Sequence, residues 1–150
     1  MIGCLVKGDK IPDSNNIARF CRPMQAPEGK IQATAFMLKK DEESLSVNWL
    51  EFLKCPDRDS EIREMQRIYS KTFQVGASAR IAILNVGEVR DVVWEGSLDN
   101  RDIEVLHDPI LNDPIRNDDE SHSEIRNVKE DNEFIAELIL EAIRENHPAR

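Results

Sequence analysis

Pro12-Asp13, followed by Glu28-Gly29-Lys30, reproduces the residue order of the PD-(D/E)xK metal-dependent nucleases, where carboxylates hold a divalent ion and a lysine steadies the attacking water. That chemistry needs the glutamate and lysine on one rigid strand. Ala26-Pro27-Glu28-Gly29 is turn-forming instead, so the motif reads as two unrelated turns in an acidic chain. A second group, His107-Asp108 with Asp113, Asp118, Asp119, Glu120 and His122, offers nitrogen and oxygen donors of the kind that ligate divalent metals. An HD-type phosphohydrolase requires further histidines upstream, and the one remaining histidine is His147. The group therefore reads as a solvated acidic loop, and no metal ligand or cofactor is assigned.

Nucleophilic chemistry would draw on Cys21 or Cys55 with His107 or His122, or on Ser121 or Ser123 beside His122. Covalent catalysis needs nucleophile, base and orienting group within hydrogen-bond reach, a geometry that residue order does not reveal. No Gly-x-Ser-x-Gly elbow, Walker loop or Gly-x-Gly-x-x-Gly is present, so no catalytic residue is assigned. Cys4, Cys21 and Cys55 form no Cys-x-x-Cys pair, and their odd number argues against a disulfide framework or a zinc ribbon.

Two polar-aromatic stretches remain, Asn15-Asn16-Ile17-Ala18-Arg19-Phe20-Cys21 and Leu45-Ser46-Val47-Asn48-Trp49-Leu50-Glu51. Each mixes hydrogen-bonding side chains with an aromatic, as recognition surfaces do. Arg19, Asn48, Trp49 and His122 are the candidate binding residues. Trp49 is expected to be buried, and Asn48 to face a backbone partner or a small cleft shared with Arg19, because polar groups inside an apolar run need partners.

The elements that must position these residues follow from periodicity. Asp13 or Ser14 caps an expected helical turn through Phe20 and Cys21, and Ile31 to Leu38 alternates like a strand. Leu45 to Leu53 reads as a strand turning into a short helix. Pro56-Asp57-Arg58-Asp59-Ser60 caps a helix near 59–73 with Ile62, Met65, Ile68, Tyr69 and Phe73 on one face. Ala79 to Val86, the most apolar stretch, is an expected central strand. Val89 to Trp94 forms a return strand or a short helix, and Ile103 to Leu106 another strand. The acidic segment 108–127 reads as a long loop, and a helix near 132–146 carries Ile135, Leu138, Ile139, Ala142 and Ile143 on one face.

The predicted architecture is a single α+β domain over 1–150, with one mostly antiparallel sheet covered by the two amphipathic helices. With 40% hydrophobic and 33% charged residues the chain is polar yet rich enough in aliphatics to fold. Its 29 acidic against 20 basic side chains give a net charge of −9, which repels nucleic-acid phosphate and anionic lipid. No apolar run is long enough to span a membrane, and Met1 to Val6 lacks the pattern of a secretion signal, so a cytoplasmic location is expected.

Ile11-Pro12-Asp13 through Arg19-Phe20-Cys21, Ala35-Phe36 and Leu45-Ser46-Val47-Asn48-Trp49-Leu50-Glu51 resemble a family of small, uncharacterised bacterial proteins. The resemblance covers about the first third of the chain, with echoes at Ala82 to Gly87 and Ser121-His122. The resemblance implies that the family often carries a histidine where Asn15 or Asn16 stands here, which weakens any catalytic role at that position. The resemblance implies a bacterial protein and no particular activity. Taken with the size and charge, it leads to the expectation of an accessory or interaction protein, a partner or inhibitor of a larger effector. The rival expectation is a small metal- or thiol-dependent hydrolase using His107, His122 and nearby carboxylates, or Cys21.

Overall fold

The β-branched run around Ile81 and Ile83 forms β3 (Arg80–Asn85), an interior strand hydrogen-bonded on both sides. In chain order the others are β1 (Asn16–Cys21), β2 (Leu45–Trp49), β4 (Glu104–His107), β5 (His122–Arg126) and β6 (Glu145–Pro148). They make one sheet in the order β4-β5-β2-β1-β3-β6, with every neighbouring pair antiparallel. The computed structural model describes residues 8–150; apart from Gly8, the apolar opening segment and Cys4 lie outside the described residues.

Strand alternation divides the core in two. Ala18, Phe20, Ile81 and Ile83 pack on one face beneath α1 (Arg58–Thr72), through Ile62, Met65 and Tyr69. Ile17, Cys21, Ala82 and Leu84 pack on the other beneath α2 (Val86–Gly96) and α3 (Asn132–Glu141). The protein is therefore α+β, and its two expected helices lie on opposite faces of the sheet.

The helix starts have local causes. Asp57 accepts the Ser60 backbone N–H at 2.8 Å, and Asn85 accepts that of Glu88 at 2.9 Å, so each helix gains an acceptor for a donor its first turn leaves free. Val89 to Trp94 thus belongs to a helix. Gly87 is pressed against Asp13: a Cβ there would meet Asp13 Cβ at 3.0 Å and its carbonyl oxygen at 3.1 Å.

Four expectations are corrected. The stretch through Phe20 and Cys21 is strand β1, because Asp13 serves α2 instead of capping its own turn: its carbonyl accepts from Gly87 at 3.0 Å and its carboxylate from Arg90 at 2.9 Å. The alternating stretch 31–38 holds a 3₁₀ turn, Ala33–Phe36, whose buried Ala35 and Phe36 join the core under α3. Its exit is tied to α3 by Leu38 N–H donating to Asn132 Oδ1 at 3.0 Å. The segment 108–127 contains β5. The last helix stops at Glu141, and Arg144 N–H donates to Ile83 carbonyl at 2.9 Å, leading the chain into β6 with His147 in a strand.

Candidate ligand-binding cleft

The ladder between β1 and β2 is short, pairing Ile17 with Trp49 and Ala18 with Asn48. Arg19 takes over where it ends. Its Nη1 donates to the Ser46 carbonyl at 2.8 Å and its Nε to the Ala35 carbonyl at 2.9 Å, so one side chain joins β1, β2 and the 3₁₀ turn. Burial lowers the guanidinium's pKa from its ordinary value, partly offset by the thiol of Cys21 and the carboxylate of Glu42. No carboxylate among the described residues comes within ion-pair distance of it.

Asn48 is 4% exposed and lies on the α1 side of β2, opposite Trp49. Its Nδ2 donates to both Asp119 carboxylate oxygens, at 3.0 and 2.9 Å, and to Ser121 Oγ at 2.8 Å. Its Oδ1 accepts from the Tyr69 hydroxyl at 3.1 Å. The amide is thereby locked in one orientation and forms a floor, with its capacity committed within the protein. Asp119 is itself held by paired backbone bonds with Ile110, at 3.0 and 2.8 Å, and Asn117 Nδ2 anchors the same loop to the Lys71 carbonyl of α1 at 2.9 Å. The acidic segment is thus folded into a wall.

His122 pairs with Asn48 across the β2–β5 ladder and is 8% exposed. Its Nδ1 faces the Asp108 carbonyl at 2.8 Å, which can only accept, so Nδ1 carries the proton and Nε2 is left to accept from Ser46 Oγ at 3.1 Å. The Asp108 carboxylate stands 3.6 Å from Nδ1. Ser46 is exposed, and Ser46, His122 and Asp108 form a hydroxyl–imidazole–carboxylate series of which Ser46 and His122 line the cleft. His107 lies elsewhere. It pairs with Ser123, which puts it on the sheet face opposite His122, between Trp49 and Phe52 with ring centroids at 5.3 and 4.9 Å. The two histidines therefore cannot share a metal ion, and among the described residues no three His, Cys, Asp or Glu side chains are grouped to hold one.

The cleft encloses about 390 Å³ between the sheet, the end of α1 and the wall formed by Ile110, Ile115 and Arg116. Phe20 and Phe73 stack at 4.4 Å with 2° between their planes, Tyr69 leans on Phe20 at 5.1 Å, and the Arg22 guanidinium sits 5.9 Å from the centre of Phe73. Arg19, Arg22, Lys39 and Arg116 line it against the carboxylates of Glu42 and Asp119, a local excess of positive charge in an acidic protein.

Arg19, Asn48 and His122 meet in this cleft, whereas Trp49 does not: it is 6% exposed in the other core and its indole N–H donates to Asn15 Oδ1 at 2.8 Å. Cys21 is buried, and desolvation pushes its thiol up to about 11, which withholds the thiolate a nucleophile needs. Ser46, Tyr69 and Phe73 are cleft residues that sequence reasoning did not single out, and Asp119 stood in the sequence only as one donor of the acidic loop. Tyr69 and Phe73 carried only the signal of a helix's apolar stripe. No protein-family model, no curated protein and no solved structure matches the chain.

Proposed function

We propose that this chain is a bacterial accessory protein that acts by recognition, and that the cleft around Arg19 is its recognition element. The observation that carries the reading is the preformed floor: Asn48, Asp119, Ser121 and Tyr69 satisfy one another without any ligand, so the shape of the cleft is fixed before binding. The surrounding surface, with its net charge of −9 over the chain, suits a partner that presents a basic face. A test compares proteins crosslinked in bacterial cells by the wild type, by Arg22→Ala and by the outlying Lys129→Ala. A partner lost with Arg22→Ala and kept with Lys129→Ala supports the reading; a partner indifferent to both sinks it.

A second reading, hydrolysis, is favoured by the Ser46–His122–Asp108 series. In that reading Ser46 Oγ bonds to an acyl carbon as its proton passes to His122 Nε2. The leaving alcohol or amine takes that proton as the acyl–heteroatom bond breaks, and water then repeats the sequence to release the acid. Treatment with a fluorophosphonate probe decides it: a mass adduct on Ser46, abolished by His122→Gln, is expected, and an unlabelled Ser46 overturns it.

A further inference from the structure

Resting on the reading of the cleft as a recognition element, we propose that its ligand is an anion, carboxylate or phosphate, carried on an apolar body. The division of its polar groups points there. Asn48, Asp119, Ser121 and Tyr69 are engaged with one another, Arg116 is engaged by Asp113 at 3.1 Å, and Ser46 with His122. What is left uncommitted is cationic. Arg19 donates through Nε and Nη1 to backbone carbonyls, while its Nη2 makes no hydrogen bond to the described residues. That Nη2 is also not sealed from solvent, since among the described residues the only sealed side-chain nitrogen or oxygen without a partner is His107 Nδ1. Arg22 and Lys39 likewise have no ion-pair partner among the described residues, and all three side chains line the same cleft.

A largely desolvated guanidinium with no carboxylate at ion-pair distance is costly, since Glu42 and Asp119 line the same cleft without pairing with it, and an entering anion would relieve that cost. The carbonyls that hold Nε and Nη1 keep the guanidinium plane fixed, so its outer edge is presented at little further loss of side-chain freedom. Beside this charge stand Phe73, Ile110 and Ile115, an apolar wall with no hydrogen-bonding demand. An inorganic anion alone would leave that wall wet, and an apolar molecule alone would leave the cations unmatched. The pairing selects a ligand with both parts.

The whole chain, isotope-labelled, is titrated with phenylacetate, phenyl phosphate, inorganic phosphate and benzylamine, following amide shifts. Phenylacetate or phenyl phosphate is expected to saturate shifts at Ser46, Phe73 and Asp119, and whichever binds tighter identifies the head group. Inorganic phosphate should bind about tenfold more weakly than the better aryl anion, and benzylamine should leave these amides unmoved. Arg22→Ala with Lys39→Ala, both surface changes, should weaken aryl-anion binding several-fold while Lys129→Ala does not. Arg19→Met should abolish it, with unchanged shifts far from the cleft showing that the variant is folded. Equal binding of benzylamine and phenylacetate, or indifference to the Arg22 and Lys39 changes, overturns the proposal. If the anions fail while a cellular partner still depends on Arg22, the ligand class falls and the recognition reading stands. If the anions bind and no partner depends on Arg22, the recognition of a protein partner falls alone.

Discussion

Tyr69 and Asn48 face each other across the boundary between α1 and the sheet, the phenol donating at 3.1 Å to an amide whose nitrogen is turned towards Asp119. Burial, and then the negative field of Asp119, raise the phenol's pKa from its ordinary value, so Tyr69 stays a donor at neutral pH. Tyr69→Phe removes the donor and leaves Asn48 Oδ1 buried without a partner, at an expected cost of about 1–3 kcal/mol in urea unfolding. Asn48→Ala strands Tyr69 and one side of Asp119 together and should lower Tm at least as much. A Tyr69→Phe protein as stable as the wild type would show that the bond carries nothing.

Trp49 belongs to the opposite core, where it packs edge-on to His107 and tilted against Phe52 at 5.7 Å. Trp49→Ala should cost about 3–5 kcal/mol through lost burial and the cavity left behind. Trp49→Phe keeps a ring and should cost less, while releasing Asn15. Neither change touches the cleft directly, so any variant that remains folded should retain ligand shifts at Ser46 and Phe73.

Glu61 supplies a pH signature of unusual sign. Burial pushes its carboxyl above the ordinary 4.5, against the pull of Arg58, whose Nη1 lies 2.6 Å from Oε1. The folded state therefore holds the proton over a window where the unfolded chain has lost it, and stability contributed by this group falls as pH rises through the raised value. Relative to the wild type, Glu61→Gln should gain stability as pH is raised above 4.5, measured by paired denaturant titrations. A flat or opposite difference would refute the assignment.

Cys21 and Cys55 should separate in an alkylation experiment. Cys21 is fully buried with its thiol pushed up to about 11, whereas Cys55 is partly exposed at the edge of α1. Peptide-mapped iodoacetamide labelling of the native protein is expected to modify Cys55 long before Cys21, and denaturant should erase the gap. Rapid labelling of Cys21 in the native state would contradict the packing of β1.

The elements most legible in the sequence were those with one dominant signal: α1, with its cap at Asp57 and stripe from Ile62 to Tyr69, and β3, with Ile81 and Ile83. β1 was misread because a capping residue, Asp13, stands before it, and nothing in the order of residues shows that Asp13 is claimed by Gly87 and Arg90 far along the chain. β5 was hidden because a buried serine, Ser123, takes a position where a strand normally shows an apolar side chain; its hydroxyl is satisfied locally by the Ser121 carbonyl at 3.0 Å. The cleft was half visible. Arg19 and Asn48 stood out as polar residues inside apolar runs, but Ser46 acquires meaning only through the β2–β5 register that brings His122 beside it.

That register also has a consequence in time. Ser46 and His122 are 76 residues apart in the chain, β3 returns to pair with β1, and β6 reaches back to β3, so three of the five ladders join distant segments. Helices α1 and α2 can gain their turns early from neighbours in sequence, whereas each of these ladders must first close a long loop. Assembly is then limited by the search for partners rather than by helix growth, and in stopped-flow refolding the helical signal should run ahead of Trp49 burial. Because β5 supplies one wall and β2 another, the cleft comes into being in a single late step, and a chain caught before that step has no weaker version of it to offer.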